Sequence, residues 1–286
     1  MDAKGNVVTM QMSLTDRTER LKRIARNIRT GIIRTVHGAG AGHIGGPLSA
    51  TDILTALYFE VMNIRPEHPD WEDRDRFVLS KGHSAIALYC ALAERGYFPK
   101  AELSTFDEIN SRLQAHPDMR LLPGLDMSTG SLGQGISAAV GMALAAKLKG
   151  KSFRTYCLIG DGESQEGQVW EAANVASRYR LDNLVVILDC NRLQQYGWEG
   201  ASKEARQAPA VDPETRWAAF GFHVIDIDGH DFPAILSAFR EAETVKGKPV
   251  IILARTVKGK GVSFMENHYL WHSRVPTDEE LARAIN

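Results

Sequence analysis

Residues 160–170 read GDGESQEGQVW, an acidic side chain between two glycines just after the apolar run FRTYCLI (153–159). Thirty residues beyond Asp161 comes Asn191, directly after a second apolar run, NLVVILD (183–189). A carboxylate, a side-chain amide and a nearby carbonyl such as that of Leu193 make a hard oxygen set. That set suits Mg²⁺ or Ca²⁺ completed by phosphate oxygens and water. Gly160 and Gly162 let the backbone approach a ligand closely. A helix starting near Glu163–Gln165 would add N–H donors and a positive dipole end. By itself Gly160-Asp161-Gly162 is a weak signal and reads first as a tight turn, since Asp-Gly is common in turns. Strand, turn, helix, strand and then Asn is the more specific pattern. Nine histidines supply side chains whose protons move near neutral pH, although any one of them alone reads as a structural residue.

These groups can meet only if the strands before them are neighbours. RFVLS (76–80), FRTYCLI, NLVVILD, HVIDID (223–228) and PVIILART (249–256) have strand length and composition. Between them SAIALYCALAER (84–95), ISAAVGMALAAKLK (136–149), QEGQVWEAANVASRYR (165–180) and FPAILSAFREAETVK (232–246) read as helices. Alternating helices and apolar strands predict an α/β fold: a doubly wound, mainly parallel sheet with helices on both faces. Ligands of such sheets sit beyond the carboxyl ends of the strands. Asp161 and Asn191 fall there, one crossover apart. Residues 1–286 read as a single domain. A helical extension covers about 14–40, with Leu21, Ile24, Ala25, Ile28, Ile32 and Val36 on one face and Asp16 with Glu19 as a capping box. A short helix closes the chain at about 277–286.

Composition narrows the class. A formal net charge of -1 argues against a polyanion binder. Arg20, Lys22, Arg23, Arg26 and Arg29 form a basic face without interleaved aromatics, which reads as solvated rather than as a nucleic-acid surface. The strongest apolar runs are too short to span a bilayer. Cys90, Cys157 and Cys190 form no CxxC and each lies in an apolar run, so buried reduced thiols are expected. An odd thiol count and an N-terminus without an apolar signal segment fit the cytoplasm.

Several blocks resemble transketolases. Gly160-Asp161-Gly162 with Asn191 is similar to the thiamine diphosphate signature. GLDMSTGSLGQGISAAVGMALAAKL (124–148) resembles the family's segment over the cofactor. GAGHIGGPLSATDIL (40–54), FVLSKGHSAIALY (77–89), AHPD (115–118), GFHVIDIDGHD (221–231) and TVKGKG (256–261) resemble further blocks in order. The resemblance covers nearly the whole chain. It implies the diphosphate-binding domain of a thiamine diphosphate enzyme, with Asp161, Asn191 and the Leu193 carbonyl holding Mg²⁺ (Ca²⁺ also fits) and Gly130, Leu132 and Gly133 covering the cofactor. It further implies that His43 and His272 move protons at the donor sugar, that His116 contacts the transferred unit, and that His83 lies near the diphosphate. Lys258 resembles a lysine that touches the diphosphate, and reads equally as a solvated surface lysine. Glu166 resembles an acid linking paired active sites, and reads also as a first-turn helix glutamate. His37, His68, His223, His230 and His268 read as structural.

No segment resembles the pyrimidine-binding domain that carries the family's cofactor-activating glutamate. The expectation is therefore the N-terminal subunit of a split transketolase. It would transfer a two-carbon ketol unit between sugars or sugar phosphates, with a C-terminal partner subunit in an α2β2 heterotetramer. The rival readings are a 2-oxo-acid dehydrogenase α-like chain and a non-catalytic, cofactor-binding regulatory partner. The sequence departs from the family at Ser273, after the His of its tryptophan–histidine block, and along 194–211, around Trp198.

Overall fold

Five short apolar segments build one parallel sheet: β1 (Arg76–Leu79), β2 (Thr155–Gly160), β3 (Leu184–Cys190), β4 (His223–Asp228) and β5 (Val250–Arg255). The strand order is β1-β2-β3-β5-β4. The computed structural model describes residues 12–195 and 212–285, so Trp198 and most of the divergent segment lie outside the described residues. In β3 every residue is buried. Tyr156, Leu158, Val185, Ile187, Val250 and Ile252 face one apolar layer. Cys157, Ile159, Val186, Leu188, Ile251 and Leu253 face the other. Alternate side chains thus enter opposite cores, which is why the strands read as continuous apolar runs.

One layer holds α1 (Leu14–Ala39), α2 (Gly45–Ala56), α3 (Ala85–Arg95) and α7 (Phe232–Thr244); the other holds α4 (Gly135–Leu148), α5 (Gly167–Arg178) and the short α6 (Pro213–Ala219). This is the doubly wound arrangement expected. Helix α8 (Asp278–Ile285) packs on α1, where the Asp278 carboxylate meets His37 Nε2 at 2.9 Å. Among the described residues no helix is long and apolar enough to cross a membrane. The three thiols are buried, and burial raises the pKa of each.

The capping box at the start of α1 is a correction. The cap is Ser13, whose Oγ accepts from Asp16 N at 3.1 Å, so Asp16 is the box's third-position acid and not its cap. Glu19 instead pairs with Lys22 on the exposed face. Lys22, Arg23 and Arg26 are solvated as expected, while Arg20 binds Glu60 and Arg29 binds Asp52.

Helix α2 and its continuation as a π-helical turn over Leu57–Val61 were not expected from sequence. All twelve residues of α2 are buried, so it carries no amphipathic period to read. It matters because its first turn, Gly45-Gly46-Pro47, opens onto the carboxyl edge of the sheet and no side chain caps it.

Candidate active site

Four adjacent strands deliver residues to one cavity of about 430 Å³. After β1 come Lys81 and His83, after β2 Gly160-Asp161-Gly162, after β3 Asn191 and Leu193, and after β5 Lys258. Register makes this possible: Gly160 lies opposite Asp189, and Asp189 opposite Ala254. His43, before α2, and His272 complete the wall; Gly130, Leu132 and Glu166 line it from the loop before α4 and the turn before α5.

The acidic side is preorganised by the backbone. Asp161 Oδ1 accepts from Gly162 N at 2.8 Å, and Oδ2 from Arg192 N at 2.5 Å. Burial and the nearby Asp189 nevertheless push the Asp161 carboxyl up to about 6. A carboxylate so disfavoured is one that a bound cation would stabilise. Asn191 Oδ1 accepts from Leu193 N at 3.0 Å, and its Nδ2 contacts Ser49 Oγ and Asp189 Oδ2, both at 3.3 Å. No cluster of three or more His, Cys, Asp or Glu placed for a metal occurs among the described residues. A set of one carboxylate, one amide and one carbonyl does not require one.

Lys258 is fully buried, not a solvated surface lysine. Its Nζ donates to the carbonyls of Leu193 (3.1 Å) and Gln194 (3.2 Å) and lies 2.8 Å from His272 Nδ1. Burial, with Lys81 nearby, pushes the Lys258 ammonium down to about 8. The Leu193 carbonyl expected at the metal is here bonded to this ammonium.

Three histidine rings meet over the cavity. His43 lies 5.1 Å from both His83 and His272, which are 5.2 Å apart. Burial, followed by nearby His116, Lys258 and Lys81, lowers His43 to about 4. Burial, then Lys258, His43 and Lys81, lowers His272 to about 3, and burial with Lys81 takes His83 lower still. At neutral pH these rings are uncharged, each with one N–H donor and one acceptor. His116 is exposed, with its ring 6.2 Å from that of His43, beside Gly130 and not in the cavity wall. Gly133 is also off the wall: its N–H donates to Glu163 Oε1, and its φ of +81° suits glycine. Glu166 is exposed at the cavity's edge.

Sequence reasoning missed three charged residues beneath the site. Lys81 Nζ pairs with Asp189 Oδ2 at 2.5 Å with both side chains buried. Asp189 also accepts from Ser49 Oγ at 2.6 Å and from Thr256 Oγ1. Glu163 is 2% exposed and accepts from Ser80 Oγ (2.5 Å), Gly133 N (2.9 Å) and Gly160 N (3.0 Å), tying β1, the loop before α4 and β2 together. A charge closing the otherwise apolar run of β3 was the available signal for Asp189. Glu163 read as one more polar residue of a turn.

The cavity fits an anionic ligand carrying a diphosphate. Lys81 and Lys258 place two cationic side chains on it, and the uncapped start of α2 adds backbone N–H groups. A Cβ on Gly46 would lie 3.3 Å from Ser84 Oγ, 3.4 Å from Lys81 Nζ and 3.6 Å from His83 Nε2, so glycine there leaves the approach to these groups open. Ser84 Oγ is buried without a hydrogen-bond partner.

Comparison with known proteins identifies the family and the fold. Residues 20–284 match the family described as transketolase, thiamine diphosphate binding domain. The chain is 46% identical over 266 residues to 6-deoxy-6-sulfo-D-fructose transketolase subunit SqwG of Clostridium sp. strain MSTE9, covering 93% of this chain and 94% of that protein. It is 42% identical over 257 residues to an apulose-4-phosphate transketolase subunit of Phocaeicola vulgatus, covering 90% and 89%. Among solved structures, transketolase from Leishmania mexicana superposes with a TM-score of 0.84 at 33% identity, over 92% of this chain and 40% of that one. The Pichia stipitis enzyme in complex with sedoheptulose 7-phosphate gives 0.86 at 30% identity, again over 92% and 40%. The chain thus spans about 40% of these solved transketolases but nearly the whole of the relatives named as subunits.

Proposed function

This chain belongs to the transketolase family, and from that premise we propose that it is the cofactor-binding subunit of a two-subunit ketol-transferase. The observation that carries this reading is the convergence of four strand ends and three uncharged histidines on one cavity. The reaction moves a two-carbon ketol unit from a ketose to an aldose. When bound, thiamine diphosphate supplies the nucleophilic ring carbon and the electron sink for breaking the C2–C3 bond of the ketose.

The chain's own residues bind, orient and move protons. Lys81, Lys258 and the first turn of α2 hold the diphosphate. Asp161, Asn191 and the Leu193 carbonyl hold the Mg²⁺ or Ca²⁺ that neutralises it. For the carbonyl to serve, Lys258 Nζ would have to give up its bond to Leu193 O and pair with the diphosphate instead. Gly130, Leu132, Gly160 and Gly162 keep backbone close to the cofactor, and Gly133 fixes the covering loop through Glu163. His43 and His272 exchange protons with sugar oxygens, for which a neutral ring with a donor and an acceptor is the competent form. His83 contacts the diphosphate side, and His116, at the edge, meets the transferred unit. Glu166 faces a neighbouring subunit.

The partner is a C-terminal subunit carrying the pyrimidine-binding domain, in an α2β2 assembly. The named subunits that this chain resembles act on a sulfonated or a phosphorylated sugar. We place the substrates in that class, ketoses ending in an anionic group, and the enzyme in the cytoplasm, where the buried thiols stay reduced. Calorimetric titration of thiamine diphosphate into the assembly, with and without Mg²⁺, tests the site. Asp161→Ala is expected to abolish the metal-dependent part of binding. Metal-dependent binding retained by that variant would overturn the metal assignment.

A further inference from the structure

His230 lies outside the site, in a block that the proposed chemistry does not use, yet its surroundings are specified on both sides of the ring. Nε2 accepts from Val257 N at 2.8 Å. A backbone amide can only donate, so Nε2 carries no proton. Nδ1 therefore carries it and donates to Asp52 Oδ2 at 2.7 Å. Asp52, 4% exposed on α2, also takes both ends of the Arg29 guanidinium from α1, at 3.0 and 2.5 Å. Burial would raise the Asp52 pKa, but His230 and Arg29 together hold it below the ordinary value. The carboxylate is thus a fixed acceptor that selects one tautomer of His230.

The same network grips the far end of the turn. Arg29 Nε donates to the carbonyl of Lys260 at 3.1 Å. Val257 N–H and Lys260 C=O, the two ends of the turn after β5, are therefore both hung from Asp52. Between them sits Lys258. Gly259 has φ +79°, and its N–H donates to Gly45 O at 3.0 Å, so the turn is also docked on the first residue of α2. Asn267 N donates to Lys258 O at 3.0 Å. A lysine's charge sits on a flexible four-carbon stem, so where it can reach is set by where its backbone is fixed. Here the backbone is held, and Nζ lies 3.1 Å from Leu193 O, 3.2 Å from Gln194 O and 2.8 Å from His272 Nδ1.

We infer that His230 is a positioning residue: through Nε2 it anchors the Val257 amide and thereby sets the Lys258 ammonium in the cavity, with Asp52 and Arg29 fixing which ring nitrogen carries the proton. The inference rests on the reading of Lys258 as a diphosphate-side cation.

Two conservative variants separate the functions of the ring's nitrogens. In His230→Asn the amide nitrogen can replace Nδ1 toward Asp52, but nothing reaches Val257. In His230→Gln the side-chain oxygen can replace Nε2 as acceptor for Val257. The test is thiamine diphosphate affinity of the Mg²⁺-loaded two-subunit assembly, together with the ¹⁵N signals of the His272 ring, which report the Lys258 contact. His230→Asn is expected to weaken affinity by about tenfold, as outer-shell partners do, and His230→Gln by no more than about threefold. In a Lys258→Met background, His230→Asn is expected to add less than about twofold, because both changes act on one element. The His272 signal is expected to move in His230→Asn as it does in Lys258→Met, and to stay put in His230→Gln. Equal losses from His230→Asn with and without Lys258 would overturn the inference. So would a Gln variant as damaged as the Asn variant, or an unmoved His272 signal in His230→Asn. If Lys258→Met leaves affinity unchanged, the diphosphate role of Lys258 fails, while the His272 signal still decides the positioning role. Should His230→Asn not fold, Asp52→Asn removes the tautomer-fixing acceptor while leaving the ring and carries the same comparison.

Discussion

Removing the Glu163 carboxylate is the sharpest test of how the site is built. It satisfies two backbone amides and one hydroxyl from three segments: Gly133 N, Gly160 N and Ser80 Oγ. Hydrogen bonds to a charged group contribute about 1.5–3 kcal/mol each, and a buried amide left unpaired costs about 1–3 kcal/mol. Glu163→Ala orphans both amides, while burying one charge fewer returns part of that cost; the expected net loss is about 2–4 kcal/mol. Glu163→Gln keeps an oxygen for Ser80 and Gly133 but turns an N–H against Gly160 N. It is expected to cost about 1–3 kcal/mol, less than Ala. Urea unfolding of the isolated chain reads both values. Cofactor affinity in the assembly is expected to fall in the same order, because Gly133 closes the loop that carries Gly130 and Leu132. A Gln variant within about 0.5 kcal/mol of wild type, or one as damaged as Ala, would refute the reasoning, since acceptor geometry would then not be what holds the loop.

Three further outcomes are expected. Gly46→Ala replaces a helical glycine, a gain of at most about 0.5–1 kcal/mol, which crowding of the new Cβ at 3.3 Å from Ser84 Oγ and 3.4 Å from Lys81 Nζ offsets. Its Cβ closes the approach to Lys81 and His83, so cofactor affinity is expected to drop without a fall in melting temperature; retained affinity would count against the diphosphate placement. The histidine cluster gives the fold a pH dependence of definite sign. His43 and His272 titrate near 4 and 3 in the folded chain against 6.5 when unfolded, so the unfolded chain takes up protons first. Their stabilising contribution is complete above about 6.5 and is lost as pH falls, down to about 4 for His43 and about 3 for His272, with a slope of at most about 1.4 kcal/mol per pH unit for each ring. His43→Gln is expected to flatten the urea midpoint between pH 6.5 and 4, and an unchanged slope would refute the assignment. Lys81→Met leaves Asp189 charged and buried, with Ser49, Thr256 and Asn191 as its remaining partners. It is expected to cost about 3–5 kcal/mol, read by the same unfolding assay, and a loss below about 1 kcal/mol would contradict a structural role for the pair.

Much of the sheet was legible because a strand buried on both faces is apolar along most of its length, as β2, β3 and β5 are. Adjacency of β2 and β3, and with it the meeting of Asp161 and Asn191, followed from a single crossover. Helix α2 was illegible for the opposite reason: burial all round erases the period that reveals a helix. The bounds of α1 were legible, but its cap was placed three residues late, because Ser13 and Asp16 carry the same spacing as Asp16 and Glu19. At the site, Asp161, Asn191 and the histidines stood out by type and position. Lys81, Asp189 and Glu163 did not, since what marks them is burial and long-range pairing, and neither is written locally in the chain. The burial of Lys258 likewise depends on α2 and on the turn held by His230.

A cofactor site on this chain that acts only with a second subunit, as proposed above, has a direct consequence for ketol transfer. The most direct measurement is ketol transfer from xylulose 5-phosphate, or a sulfonated ketose, to ribose 5-phosphate with Mg²⁺ and thiamine diphosphate. It is assayed with this chain alone, then mixed with a subunit carrying the pyrimidine-binding domain. Transfer by the mixture, and by neither chain alone, is the predicted result. Transfer by this chain alone, or a mixture that binds the cofactor yet transfers from neither class of ketose, would contradict the account.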